Sequence, residues 1–407
     1  MLTFDDIVAA QERIASGIVR TPCFESAALS ELVGCRVFCK AEYLQRTGSF
    51  KERGARNALL LLDEDQRKRG VVAASAGNHA LALAYHGRQL VIPVTVVMPT
   101  FAPMIKQTRC KGLGATVLLS GDNIGESKLL ADELVAAHGM TYIHGFDGHD
   151  VMAGAGTVSL EILEQVPEAD AIVIPVGGAG LIAGASLAAK HIKPKVKILG
   201  VETEGSDSFS EALKAGQPVD TKMHATLADG LAVPKVGPHA FEIARKYVDE
   251  TVLVDEESVA LAILRLVELE KGVVEGAGAS PLAALMAKKL PDLKGKNVVI
   301  ALCGGNIDPM VLGRVMEHGL VADGRLARFS TVISDRPGGL AKFCEVVAQS
   351  GASIKQITHE RAFSSADVTR VEIMCTVETR NHNHIWEMLF ELKENHFPCI
   401  ELPRRQD

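Results

Sequence analysis

The residues best suited to chemistry in this 407-residue chain lie in Thr47-Gly48-Ser49-Phe50-Lys51-Glu52-Arg53-Gly54. The segment follows an expected strand, Val37 to Glu42, and opens an expected helix that runs to about Leu62. A lysine in the first turn of a helix is poorly placed for stability, because the helix dipole there favours anions. Such an ammonium gives up its proton more easily, and the free amine can form a Schiff base. A solvated surface lysine is the plain alternative, weakened because Phe50 and small residues crowd this one.

Three more segments carry possible chemistry. Val176-Gly177-Gly178-Ala179-Gly180-Leu181 sits between a strand and a helix. Its backbone N–H groups and the helix N-terminus suit a phosphate, whose approach larger side chains would block. Gly178 to Ala183 also spells G-x-G-x-x-A, with Glu202 further on at a strand end, which imitates a dinucleotide-binding fingerprint. Both readings place a phosphate near Gly177–Gly180; a tight turn without a ligand is the plain alternative. Ser75-Ala76-Gly77-Asn78-His79 lies at another strand-to-helix junction, where free amides suit a carboxylate. Asn78 either donates to an oxygen beside a reactive carbon or simply caps the helix. Cys303-Gly304-Gly305-Asn306 follows a buried strand; its glycines permit close backbone approach, and Cys303 is either a ring partner or a core thiol.

All four segments fall at the C-terminal ends of strands, where open α/β sheets gather their ligands. A Schiff-base lysine, a phosphate cradle, a carboxylate loop and a weak hydrogen-bonding group describe one cofactor, pyridoxal 5′-phosphate. A nicotinamide-dependent dehydrogenase built on Gly178–Ala183 is the rival from another class, and it leaves Lys51 without a role.

The elements that must position these residues alternate. Strands are expected at 71–74, 94–98, 115–119 and 140–144, separated by helices at 78–90, 104–113 and 123–137. The alternation resumes with a helix at 154–165, a strand at 171–176, a helix at 181–191 and a strand at 196–201. Residues 217–237 read as loops, 258–270 and 280–290 as helices, and 298–301 as a strand. Alternating β and α elements imply parallel sheets covered on both faces, here two, with a site between them. Beyond residue 320 the pattern changes to strand 327–333, helix 339–350, strand 353–363, turn 364–367, strand 368–378, helix 381–395 and strand 398–402. That is βαββαβ, the ferredoxin-like arrangement.

Apolar residues make up 47% of the chain and charged residues 23%, as expected of a globular protein rather than a disordered one. A net charge of -7 and the lack of basic runs exclude nucleic acid as a natural partner. The eight cysteines form no C-x-x-C pair, so neither a disulfide framework nor a zinc site is expected. The N-terminus lacks a basic n-region and no apolar run is long enough for a bilayer, so a cytoplasmic location is expected. Asn381-His382-Asn383-His384 reads as a solvated helix start rather than a metal site.

Residues 49–55, 75–80, 177–181 and 303–306 resemble the motifs of the threonine ammonia-lyases, in the tryptophan-synthase-β-like group of pyridoxal-phosphate enzymes. The resemblance covers about residues 1–320. Ser334-Asp335-Arg336-Pro337-Gly338-Gly339-Leu340 resembles the start of an ACT domain. The implied architecture is an α/β, two-lobed catalytic domain over 1–320, with a large lobe of about 1–45 and 146–320 and a small lobe of about 46–145. A linker at 321–326 and a ferredoxin-like regulatory domain at 327–407 follow.

The implied activity is β-elimination of L-threonine, and of L-serine, to 2-oxobutanoate or pyruvate and ammonia. Lys51 would hold the cofactor and remove the α-proton. Phe50, Asn78, Gly177, Gly178, Ala179, Gly180, Leu181 and Cys303 would contact the cofactor. Ser75, Ala76, Gly77, Asn78 and His79 would grip the substrate. An isoleucine or valine effector would bind near Gly339, Leu340, Ser353 and Ile354 in a homodimer or homotetramer serving isoleucine biosynthesis. The nearest alternatives are a hydroxyaspartate ammonia-lyase and a serine racemase or dehydratase. Related serine racemases carry a serine where Ala76 stands, so racemisation should be weak. Glu202 and Asp207 match positions that bind a divalent ion in some relatives, but Ser208 replaces an acid there, and no metal is assigned.

Overall fold

The computed structural model describes residues 2–360 and 369–401. The chain divides into two compact units, Met1–Asp308 and Pro309–Asp407.

The first unit holds two sheets. Strands β1 (Cys23–Ser26), β2 (Arg36–Lys40), β3 (Val71–Ala74), β4 (Val94–Met98), β5 (Thr116–Leu119), β6 (Thr141–Tyr142), β7 (Ala171–Pro175), β8 (Lys197–Thr203), β9 (Glu250–Val254) and β10 (Asn297–Ala301) follow in chain order. The larger sheet runs β1-β2-β10-β7-β8-β9 and the smaller β5-β4-β3-β6. Every neighbouring pair is parallel except β1 with β2. Strand β7, AIVIP, is buried at every position, as a strand covered on both faces should be. Its side chains join a core that includes Ile172, Ile174, Val299, Ile182 and Phe241. Each such residue contributes about 1.5–3 kcal/mol by leaving water.

The alternation holds, with three differences. The helix expected from 154 starts at His149 and runs to Gln165. Inside it, Gly154 and Gly156 are contact points. A methyl on Gly154 would strike the backbone of Arg53 and Gly54, and one on Gly156 would strike the carbonyl of Gly184. Second, helices Ser208–Ala215 and Pro238–Tyr247 and strand β9 flank the expected loop region. β9 is a half-buried edge strand, so its apolar signal is weak. Third, the helix expected from 280 begins at Gly276, with Pro281 inside it.

The second unit opens with a helix, Pro309–Ala322, that the sequence reading did not anticipate. The expected linker at 321–326 coincides with the end of this helix and the start of β11. Strands β11 (Leu326–Ser334), β12 (Ser353–Glu360), β13 (Arg370–Glu378) and β14 (Cys399–Glu401) form an antiparallel sheet in the order β12-β13-β11-β14. Helices Gly339–Gln349 and His382–Glu394 join them. The turn expected at 364–367 lies outside the described residues. His384 is not part of a solvated helix start: it is buried, accepts the Arg380 N–H at Nδ1, and faces the Ser350 carbonyl through Nε2 at 2.8 Å.

Candidate active site

Lys51 is the first residue of the Lys51–Leu60 helix, which has no side-chain cap. The loop before it is tied to the turn after β10. The Phe50 N–H donates to the Cys303 carbonyl at 3.0 Å, and the Gly305 N–H donates to the Gly48 carbonyl at 2.9 Å. Beneath this turn lies a buried ion network that the sequence reading missed. Arg53 donates to both carboxylate oxygens of Glu42, at 2.7 and 2.8 Å, and to those of Glu161, at 2.7 and 2.8 Å. Lys40 Nζ completes it, 2.6 Å from Glu161. Two cations balance two carboxylates, and every member is hydrogen-bonded, which is what buried charge requires. The network ties strand β2, the Lys51 helix and the His149–Gln165 helix together, and Gly54 lies directly against the Val151 backbone. The Lys51 backbone is thus held from above and below.

The Lys51 amine donates to the Gly145 carbonyl at 2.6 Å and lies 5.2 Å from the Phe50 ring centre. Burial holds its pKa down to about 8, against the pull of Cys303 and Glu275. The Gly145 carbonyl is itself set by His144, whose Nδ1 accepts the N–H groups of Phe146 and Asp147 at 3.2 and 2.9 Å.

The Gly177–Leu181 segment is an open cradle. Among the described residues, none of its five backbone N–H groups has a protein acceptor. Methyl groups on Gly178 and Gly180 would run into the ring and the backbone of Phe146. Ala179 takes the left-handed conformation, φ 67°, at the N-cap of the Gly180–Ile192 helix. Alanine there costs about 1–2 kcal/mol against glycine, offset in part because its methyl joins the large core.

The second cradle is the turn before the Asn78–Leu90 helix. The N–H groups of Ala76, Asn78 and His79 likewise have no protein acceptor among the described residues, while Ser75 Oγ accepts from Gly77. The His79 ring is buried, with Nε2 3.1 Å from the Ile143 carbonyl. Burial, and then Lys51, hold its pKa down to about 3, so it stays neutral. Its side chain therefore faces the protein, and only its N–H faces the turn's open side.

Cys303 is buried, and burial raises its thiol well above the usual range, with Glu275 adding to the rise. It remains a neutral thiol. Asn306 Nδ2 donates to Asn78 Oδ1 at 2.8 Å, and Asn78 Nδ2 donates to Glu275 at 2.7 Å. Glu275 was not anticipated from the sequence. The one signal for it is a glutamate immediately before Gly276-Ala277-Gly278, where a helix start would ordinarily take Ser, Thr, Asp or Asn.

Glu202 does not serve a dinucleotide. Its carboxylate accepts from the N–H groups of Phe209 and Ser210 and from the Ser210 hydroxyl, capping the Ser208–Ala215 helix from a buried position. Among the described residues no three His, Cys, Asp or Glu side chains form a metal-binding group.

Residues 14–304 match the pyridoxal-phosphate dependent enzyme family. The chain belongs to that family. Its cofactor is pyridoxal 5′-phosphate, which supplies one phosphate, one ring oxygen and one ring nitrogen to be held. The open N–H groups of Gly177–Leu181 suit an anion such as that phosphate, and a buried lysine amine is of the type that forms a Schiff base.

The chain is 43% identical to the L-threonine ammonia-lyase of Thermotoga maritima over 388 residues, 95% of this chain and 96% of that one. Among solved structures, threonine deaminase isoform 2 of Solanum lycopersicum superposes with a TM-score of 0.75 at 35% identity, covering 78% of this chain and 87% of that one. Serine racemase from Dictyostelium discoideum superposes with a TM-score of 0.72 at 38% identity, covering 75% and 99%.

Proposed function

We propose that this chain is a threonine ammonia-lyase that converts L-threonine to 2-oxobutanoate and ammonia, and L-serine to pyruvate and ammonia. The observation that carries the reading is that the Lys51 amine sits on the Gly145 carbonyl, with the His79 ring beside Gly145 and the Gly177–Leu181 segment packed on the adjoining Phe146. The near full-length similarity to a named threonine ammonia-lyase supports it.

When bound, pyridoxal 5′-phosphate supplies an electron sink conjugated to the substrate's α-carbon. The chain's own groups do the rest. Lys51 would anchor the cofactor through its amine and, as a free amine, would be the base that takes the α-proton. The Gly177–Leu181 amides hold the phosphate at a helix N-terminus, where an anion is favoured. The Ala76, Asn78 and His79 amides hold the substrate carboxylate and fix which face of the α-carbon Lys51 reaches. Asn78 Nδ2 retains one N–H for the ring oxygen. The neutral Cys303 thiol would offer the ring nitrogen a partner without formal charge, which would keep the sink moderate and favour prompt loss of the β-hydroxyl. Release of the enamine, its tautomerisation and hydrolysis balance the reaction: threonine yields 2-oxobutanoate and ammonia, with one water lost and one regained.

Ala76 offers no hydroxyl to the second face of the α-carbon, which speaks against racemisation as the main activity. Relative kcat/KM for threonine, serine and 3-hydroxyaspartate, with chiral chromatography of recovered serine, tests this. Threonine should rank first and D-serine should stay minor. Dominant racemisation, or hydroxyaspartate ranking first, would contradict the reading.

For the second unit we propose an ACT-type, ferredoxin-like regulatory module that binds isoleucine or valine and pairs copies of the chain. The support is its strand order β12-β13-β11-β14 and its start at Gly339, where a methyl would collide with the Ser334 carbonyl. Gly339, Leu340, Ser353 and Ile354 remain the proposed effector contacts.

A further inference from the structure

Glu275 occupies the N-cap position of the Gly276–Met286 helix, yet its side chain makes no bond to that helix. Its backbone N–H is anchored to the Gly304 carbonyl at 3.0 Å, and its carboxyl turns toward Asn78 and Gly304, where the residue is 5% exposed. Gly304 leaves the room: a methyl there would collide with Glu275 Oε1. That oxygen accepts from Asn78 Nδ2 at 2.7 Å. At its other end, Asn78 Oδ1 accepts from Asn306 Nδ2 at 2.8 Å, and Asn306 Nδ2 also donates to the Thr47 carbonyl at 2.6 Å.

This chain of bonds specifies the Asn78 amide completely. The Thr47 carbonyl fixes Asn306 as a donor, so the Asn78 atom facing it must be the oxygen. Nitrogen then faces Glu275. An amide nitrogen has two N–H groups, and one is spent on Glu275. One is left.

We propose that Glu275 is a positioning residue of the reaction: it locks the rotation of the Asn78 carboxamide and thereby sets the direction and donor strength of the single N–H offered to the cofactor's ring oxygen. This rests on the cofactor reading above. A neutral Glu275 draws little on Asn78 Nδ2 and leaves the second N–H a strong donor. An ionised Glu275 draws more and weakens it. Burial pushes the carboxyl up to about 7, Asp229 adds to the rise, and Asn78, Lys106 and the Asn306 N–H oppose it. The other titratable groups facing it are Lys51, which titrates at about 8 only as a free amine and is taken up by the cofactor in the holoenzyme, and Cys303, which stays neutral. The state of the ring oxygen is therefore tied to a proton on Glu275.

The test is the visible absorption band of the bound cofactor in the holoenzyme, recorded between about pH 5.5 and 9. Wild type should show a transition near 7, the Glu275 midpoint. Glu275→Gln keeps an acceptor for Asn78, so it should load cofactor and lose the transition. Glu275→Ala frees the amide and should lower kcat/KM by roughly 10- to 100-fold. If neither variant folds, infrared spectra of wild type with 13C-labelled glutamate supply the answer. A buried carboxyl band that titrates near 7 should persist in Glu202→Gln, because Glu202, the other carboxyl raised to about 7, is removed there. A loaded Glu275→Gln enzyme with the wild-type transition, or no titrating band in Glu202→Gln, would overturn this proposal alone. Wild type that takes up no cofactor would overturn the cofactor reading and this proposal with it.

Discussion

At the scale of single residues, Lys51 shows how position becomes reactivity. A pKa of about 8 leaves about a tenth of the amine neutral at pH 7, against a few parts in ten thousand at its usual 10.5. Cofactor uptake by the apoprotein should therefore accelerate with pH through a midpoint near 8, measured by stopped-flow absorbance; a rate that keeps climbing past pH 10 would mean that burial does not tune this amine. Lys51, Asn78, Cys303 and the glycine loop were legible in the sequence because each sits in a short local signal at a strand end. Glu275 was not legible. Its role comes from Asn78 and Gly304, neither near it in sequence, and a lone buried glutamate leaves no periodic trace.

At the scale of elements, the site depends on helices held at close approach. The alternation of strands and helices was legible because β7 and residues 298–301 of β10 are buried apolar runs. The early start of the His149–Gln165 helix was not, because Gly148 stands at its N-cap and no side chain caps it. The ion network around Arg53 was equally hidden, since it joins residues from three elements. Removing one partner leaves buried charge uncompensated, so Arg53→Ala should cost about 3–5 kcal/mol of stability. Urea unfolding measures this; a loss under about 1 kcal/mol would mean that water relieves the network. In the cradle, Gly180→Ala should abolish cofactor retention on gel filtration, because the methyl would meet the Phe146 backbone.

At the scale of the whole molecule, buried groups with shifted pKa values, Glu202, Glu275 and Lys51 among them, give the apoprotein a pH response. Glu202 and Glu275 titrate near 7 when folded and near 4.5 when unfolded. The folded state binds their protons more tightly, so their contribution to stability falls as pH rises from about 4.5 to 7. Lys51 titrates near 8 folded and 10.5 unfolded, so its penalty is full below 8 and fades by 10.5. His79, held down to about 3 when folded, acts in the opposite sense below 6.5, so the test is a difference: the urea midpoint of wild type should lose ground to that of Glu202→Gln as pH rises from about 4.5 to 7 and keep a constant offset from it above 8. The most direct measurement of the central claim is ammonia and 2-oxobutanoate release from L-threonine by Lys51→Ala supplied with pyridoxal 5′-phosphate. The account predicts a loss of at least about a thousandfold, since anchor and base are removed together; turnover within tenfold of wild type would contradict it.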